Sequence, residues 1–284
     1  MVARLYEKKD AVDQFEEGMF EYPYIVRKYA IDCLVQLDPY KIHDRRYDLM
    51  LDAGCGNGGH TRMFAKQFNE IIGFDKSQEQ INMANKKNGH DGIQYVVADE
   101  NRMPASENTV DLIWSFFSIQ YMNVETFVTK CKRVLKPSGC ALLTGFNIVD
   151  ITLLQTGIHG GDSGMLAFAK YLKKSNEWSK THLTTEYEVY SRLPNVFQKI
   201  SSVQKFRNDD LVGTITLSLE KLTKYIVGVP EYNEFLEWSK IHHKSDPLEE
   251  GMKEMKKMWS LENKADSEVN VCLKLSFFVF FFSK

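Results

Sequence analysis

Hydrophobic positions along this chain follow a regular rhythm from residue 48 onward. Short continuous apolar runs alternate with stretches whose apolar residues recur at helical spacing. Asp48–Ala53, Glu70–Asp75, Gln94–Asp99, Val110–Ser115 and Cys140–Gly145 read as five buried strands. Between them, Thr61–Phe68 places Met63, Phe64 and Phe68 at helix-like spacing. Ser77–Lys87 opens with a Ser77 N-cap and Gln80 three residues later, a capping-box pattern. Val124–Leu135 gathers Phe127, Val128, Cys131, Val134 and Leu135 on one helical stripe. That helix must stop at Lys136-Pro-Ser-Gly139, where proline and glycine cannot continue it. Strands that are apolar throughout, not on alternate residues, are covered on both faces. The pattern therefore predicts an α/β fold with a doubly wound, mostly parallel sheet.

After residue 146 the rhythm breaks. Residues 147–195 read as irregular or helical, with Gly157, Gly160, Gly161 and Gly164 clustered in one stretch. Asn195–Val203 reads as a sixth strand, and Asp210–Ile226 and Glu231–Lys257 as helices. Glu268–Phe282, rich in β-branched and aromatic residues, reads as a last buried strand. No internal repeat or low-complexity linker divides the chain, so it reads as a single domain over residues 1–284.

Composition narrows the function classes. At ~100–200 residues per domain, 284 residues make one large domain or one with an appendage. Hydrophobic residues at 43% and charged residues at 26% exclude disordered and collagen-like classes. A net charge of −2 leaves no basic footprint, so nucleic acid is not an expected partner. The five cysteines (Cys33, Cys55, Cys131, Cys140 and Cys272) are odd in number and widely spaced, which suits neither a disulfide framework nor a zinc site, and no metal is expected. There is no Asn-x-Ser/Thr sequon, and the charged start Met1–Asp10 lacks the apolar core of a signal peptide. The longest apolar run, Phe277–Phe282, is far short of the roughly 20 helical residues that span a bilayer, so no membrane insertion is expected. The expected location is cytoplasmic.

The chemistry concentrates at the ends of the first three strands. Asp52, Asp75 and Asp99 stand there, and Gly54-Cys-Gly-Asn-Gly-Gly59 follows the first. Ligands of open α/β sheets bind beyond the carboxyl ends of the strands, at the switch point. Gly54, Gly56 and Gly58 let the backbone approach a ligand, with Cys55 and Asn57 between them. Asp75 is placed to accept both hydroxyls of a ribose, and Asp99 to accept from an exocyclic amine such as adenine N6. Asp52 can orient the turn's amides or face a cationic group. Lys76, Glu100 and Ser115 flank these positions and complete the expected cofactor-binding set. Gly54-x-Gly56-x-x-Gly59 also satisfies the dinucleotide fingerprint, with Asp75 near the expected ~20 residues on. Asp52 is awkward beside a pyrophosphate and suits a sulfonium and an amino group.

Taken in order, Leu51-Asp-Ala-Gly-Cys-Gly-Asn-Gly58, Ile72-Gly-Phe-Asp75, Val97-Ala-Asp99, Val110-Asp-Leu-Ile113 and Val134-Leu-Lys-Pro-Ser-Gly139 resemble the motifs of class I S-adenosylmethionine-dependent methyltransferases. The resemblance covers residues 48–145. It implies a seven-stranded Rossmann-like sheet with an antiparallel last strand, S-adenosyl-L-methionine as cofactor, and methyl transfer to a small-molecule substrate. In those terms the chain divides into an N-terminal helical lid (1–47), a cofactor-binding core (48–146), an acceptor-side helical cover (147–195 and 207–265) and closing strands (196–206 and 268–282). Within that superfamily the chain is similar to the trans-aconitate methyltransferase-like group. Tyr6, Tyr22-Pro23, Asp75-Lys-Ser-Gln-Glu-Gln-Ile81 and Phe235-Leu-Glu-Trp-Ser-Lys-Ile241 carry this likeness, and insect juvenile-hormone-acid methyltransferases share the plan. Both imply a carboxylic acid acceptor. The chain departs at Ser118-Ile-Gln-Tyr-Met122, where Gln120 stands at the place of that group's histidine.

Acceptor-side candidates are Tyr6, Tyr22, Gln120, Tyr121 and His159. Each has a plainer role: Tyr6 and Tyr22 as half-buried aromatics, His159 as a solvated loop residue. His242-His243 reads as surface, Lys253, Lys256 and Lys257 as a solvated helix face, and Cys55 as a small packing residue. Two other functions stay open on these residues: an NAD-dependent oxidoreductase, and a donor-binding protein without turnover, the latter motivated by Gln120.

Overall fold

The computed structural model describes residues 9–38, 45–87, 89–154, 163–182 and 205–284. Its elements in chain order are α1 (Lys9–Gly18), α2 (Tyr24–Leu37), β1 (Tyr47–Ala53), β2 (Phe68–Asp75), α3 (Gln78–Lys87), β3 (Ile93–Val97), β4 (Val110–Phe116), α4 (Val124–Val134), β5 (Leu135–Leu153), α5 (Met165–His182), β6 (Lys205–Ser218), α6 (Leu219–Gly228), α7 (Pro230–Ile241), α8 (Pro247–Met258) and β7 (Asn270–Ser283). The strands form a seven-stranded sheet in the order β3-β2-β1-β4-β5-β7-β6. The pairs β1–β2, β1–β4, β2–β3 and β4–β5 are parallel. β7 runs antiparallel to β5: the Leu154 amide donates to the Asn270 carbonyl, while Gly145, nine residues earlier, lies against Phe278.

Two compact units make up the chain. The first comprises residues 21–146, 189–211 and 277–284. Its core lies between the sheet and α4, where Phe127, Val128, Cys131 and Val134 pack with Leu51, Ile113, Ala141, Leu143, Phe280 and Phe282. The continuous apolar runs are buried on both faces, as parallel central strands require. The second unit comprises residues 1–20, 147–188 and 212–276. Within it α1 packs on α6, with Phe20 against Tyr225 at 4.8 Å. α5 packs on α8, and Trp178 of α5 meets Phe235 of α7 at 5.5 Å.

Several expectations need correcting. Thr61–Phe68 is not a helix: a single 3₁₀ turn at Thr61–Phe64 leads into β2, which claims Phe68 as a buried strand residue. β5 begins at Leu135, directly after α4, and continues to Leu153, so residues 147–153 are strand and not irregular. Lys205–Ser218 is a strand where a helix from Asp210 is expected, and α6 begins only at Leu219, N-capped by the Ser218 hydroxyl accepting from the Lys221 amide. Along Val212–Leu217 every second residue is exposed, the two-residue period of a half-buried strand. Glu231–Lys257 is two helices, because Asp246 caps and Pro247 opens a new one. The expected strand Asn195–Val203 lies outside the described residues.

The amino-terminal edge of the sheet is fastened by charge. Asp111 Oδ2 accepts from the amides of Asp48 and Leu49 at 2.9 and 3.0 Å. Lys136 Nζ donates to Asp111 Oδ1 at 2.9 Å and to Asp48 Oδ2 at 2.6 Å. Two of the sequence motifs, Val110-Asp and Leu135-Lys-Pro, thus join the starts of β1, β4 and β5, opposite the end where the site lies.

Candidate functional site

The strand order reverses between β1 and β4, and the glycine turn sits at the carboxyl end of β1 at that reversal. The amides of Gly54 and Cys55 both donate to the Phe74 carbonyl, at 2.8 and 3.1 Å, which fastens the turn to β2. Gly54, Gly56 and Gly58 have φ of +70°, +54° and +75°, the left-handed region that side chains resist. A Cβ at Gly54 would stand 2.3 Å from Ser118 Cβ, and one at Gly58 2.6 Å from the Tyr95 ring. At Gly56 the nearest atom would be Gln80 Oε1 at 3.7 Å, an ordinary contact distance, so here a side chain meets no clash. Two hydroxyls brace the turn. Ser118 Oγ donates to the Ala53 carbonyl at 2.7 Å, with Ser115 Oγ 2.7 Å from it, and Tyr95 OH donates to the Gly58 carbonyl at 3.2 Å. Asn57 Oδ1 accepts from the Gly59 amide, and Cys55 packs against Ile81, Ala84 and Tyr95, its thiol pushed up by burial.

The acids divide into two pairs. Asp75 accepts from the Gly56 amide through Oδ2 at 3.1 Å and from the Ser77 amide through Oδ1 at 2.9 Å. Burial raises its carboxyl, opposed by those two amides and by Lys76, whose own side chain is exposed. Asp52 is only 4% exposed and accepts from Thr61 Oγ1 at 2.7 Å. Burial pushes its carboxyl up to about 7, the Thr61 hydroxyl opposing and Asp75 adding repulsion. Among the described residues neither Asp52 nor Asp75 is in a salt bridge. A buried and a half-buried acid in no salt bridge fit a positively charged ligand and repel a pyrophosphate. Asp99 and Glu100 hold turns: Asp99 Oδ1 caps the 3₁₀ turn Glu100–Arg102 by accepting from the Asn101 and Arg102 amides, and Glu100 Oε1 accepts from the Asn123 amide. Ser115 is buried as a brace behind the turn.

On the β4 and β5 side the walls are aromatic. Tyr22 lies 3.9 Å from the His60 ring, 4.3 Å from Phe116 and 5.6 Å from Phe146. Phe117, at φ +50°, meets Phe146 edge-on at 4.9 Å. Gln120 Nε2 donates to the Phe117 carbonyl at 2.8 Å, so Gln120 staples this loop, and its buried Oε1 has no partner among the described residues. Tyr121 ends the adjoining 3₁₀ turn Ile119–Tyr121. Tyr6 and His159 lie outside the described residues. Both His242 and His243 are exposed, His242 Nδ1 lying 2.9 Å from the Trp238 carbonyl. Sequence reasoning missed His60, Thr61 and Phe116. The only signal for His60 is its place two residues beyond Gly58, which no periodicity distinguishes.

Residues 51–143 match the family model described as a methyltransferase domain. The chain is 31% identical over 109 residues to a putative methyltransferase of Dictyostelium discoideum, covering 38% of this chain and 40% of that one. It is 32% identical over 101 residues to a malonyl-[acyl-carrier protein] O-methyltransferase of Enterobacter lignolyticus, covering 35% and 39%. The chain thus spans about two fifths of the curated relatives it matches. Among solved structures, a putative type II methyltransferase from Anaeromyxobacter dehalogenans superposes with a TM-score of 0.63 at 14% identity, over 92% of this chain and 97% of that one. The glycine turn and strand-end acids therefore lie in the segment, residues 51–143, that matches the methyltransferase-domain model, within a chain that shares its fold with that structure over nearly its whole length.

Proposed function

We propose that the chain is an S-adenosylmethionine-dependent methyltransferase that O-methylates a small carboxylic acid. The observation that carries the reading is the unclashing backbone at Gly56 beside half-buried Asp75 and buried Asp52, two acids in no salt bridge among the described residues. A cationic donor supplies the missing positive charge, whereas NAD would bring a pyrophosphate against Asp52. In this reading Asp75 takes the ribose hydroxyls on the lone pairs its amide bonds leave. Gly54–Gly58 admit the donor close to the backbone, with Cys55 and Asn57 in the turn. Asp52 orients the amino end, and Lys76, Asp99, Glu100 and Ser115 frame the remainder. The bound donor supplies an activated methyl group; the chain's task is alignment and exclusion of water, which can supply ~7–11 kcal/mol.

A carboxylate acceptor is ionised at neutral pH and needs no general base. Its oxygen forms the new C–O bond as the C–S bond breaks, the electron pair leaves on sulfur, and no proton moves. An O-methyltransferase among the relatives supports oxygen as the nucleophile, and the likeness to the trans-aconitate methyltransferase-like group belongs to the same proposal. Titration calorimetry with S-adenosylhomocysteine tests it: the wild type binds, Asp75→Ala does not, and absence of wild-type binding ends the reading. Selective thermal stabilisation by NAD would favour the oxidoreductase instead. Failure to transfer labelled methyl to any acceptor in an extract would favour a donor-binding protein without turnover.

A further inference from the structure

We propose that His60 is the hydrogen-bond donor that positions the acceptor, and that the acceptor is a carboxylic acid carried on an apolar or aromatic body. The inference rests on the methyltransferase reading and concerns the other half of the same site. Asp75 ends β2 on one side of the glycine turn; Phe116 and Phe146, toward the carboxyl ends of β4 and β5, lie on the other. A donor lying across the turn with its ribose on Asp75 directs its reacting end to the aromatic side.

There the His60 ring lies tilted against Tyr22 at 3.9 Å and against Phe116 at 6.0 Å. Its Nε2 is buried with no hydrogen-bond partner among the described residues. A buried group left without a hydrogen bond is unfavourable, so the free protein carries a cost that a ligand oxygen removes. The ring remains neutral throughout the working pH range, because burial pushes it down to about 3. A neutral imidazole N–H donates to one carboxylate oxygen without protonating it and leaves the second oxygen nucleophilic. The surrounding rings offer apolar area to the body of the acid and no ionic partner for further carboxylates. A monocarboxylate with a chain or ring therefore fits better than a polycarboxylate.

The test uses labelled S-adenosylmethionine with 3-phenylpropionate, dodecanoate and propane-1,2,3-tricarboxylate as acceptors. The wild type should methylate the two apolar acids at least about tenfold more efficiently than the tricarboxylate, equivalent to ~1.4 kcal/mol. His60→Leu should raise the acceptor KM about tenfold or more while kcat and the affinity for S-adenosylhomocysteine change less than about threefold, and His60→Gln, which keeps an N–H, should recover part of the loss. In the wild type saturated with S-adenosylhomocysteine, adding 3-phenylpropionate should shift the His60 ring ¹⁵N resonance. An unchanged KM in His60→Leu, an unmoved resonance, preference for the tricarboxylate, or no transfer to any of the acids despite intact S-adenosylhomocysteine binding would each overturn the proposal. Absence of S-adenosylhomocysteine binding to the wild type would instead overturn the function it rests on.

Discussion

Asp52 gives the sharpest quantitative test. Its ordinary carboxyl value of 3.8 is pushed to about 7, chiefly by burial. Between those values the folded chain holds a proton that the unfolded chain has released. Stability must therefore fall as pH rises from about 4 through 7, and the whole penalty stands above 7. The gap corresponds to about 4 kcal/mol as an upper bound. Asp52→Asn keeps an oxygen to accept from Thr61 Oγ1 and removes the charge. At pH 5, where the folded carboxyl is neutral but the unfolded one is ionised, only about a third of the penalty stands, and the variant should melt about 3 °C above wild type. At pH 8.5 the variant should be the more stable, and at roughly 2 °C per kcal/mol for a chain of this size its melting temperature should rise by up to about 8 °C. Circular-dichroism melts at the two pH values read this directly. Equal destabilisation of the variant at both pH values would show that Asp52 is not a costly buried charge and would sink the electrostatic argument. Donor binding supplies the converse: affinity for a cationic donor should strengthen as pH rises through 7 in the wild type and stay flat in Asp52→Asn.

Four further outcomes follow from the geometry. Gly56→Ala should fold at a cost of about 1–2 kcal/mol for its positive φ, yet weaken S-adenosylhomocysteine binding in calorimetry because the Cβ would stand where the donor approaches the backbone. Gly58→Ala, whose Cβ would stand 2.6 Å from the Tyr95 ring, should instead lose about 3 kcal/mol or more in urea unfolding. Asp111→Ala strips the acceptor from two amides and a partner from half-buried Lys136. It should cost about 3 kcal/mol in the same assay while donor affinity per folded molecule is unchanged, since the network lies at the opposite edge of the sheet. Phe282→Ala, from a fully buried position in the main core, should cost about 3–5 kcal/mol; a loss below 1 kcal/mol would mean that β7 is not paired inside the sheet.

Locally encoded features are legible in the order of residues alone. β1 to β4, α3 with its Ser77 cap and α4 with its stop at Lys136-Pro-Ser-Gly139 follow from short-range rules: buried runs, caps and breakers. The positive φ of Gly54, Gly56 and Gly58 is legible too, because only glycine tolerates it cheaply. The late strand is also visible, but the buried phenylalanines of β7 gain their meaning from pairing with β5 on one side and β6 on the other. That placement removes the exposed apolar edge such a run would otherwise present.

What the tertiary structure decided depends on partners distant in sequence. Lys205–Ser218 is a strand because the sheet offers it a neighbour, although Asp210–Ile226 has enough apolar residues to pass for a helix. Lys136 and Asp111 read as family motifs and form a clasp between strands, 25 residues apart in sequence. Gln120, a departure from the resembling group, staples the Phe117 loop. His60 looks ordinary in sequence, and only the approach of Tyr22 and Phe116 buries its Nε2 without a partner among the described residues. Periodicity and turn chemistry are written within ten or so residues of the chain. Desolvation, unpaired charge and orphaned hydrogen-bonding groups arise only when remote segments exclude water from the same place.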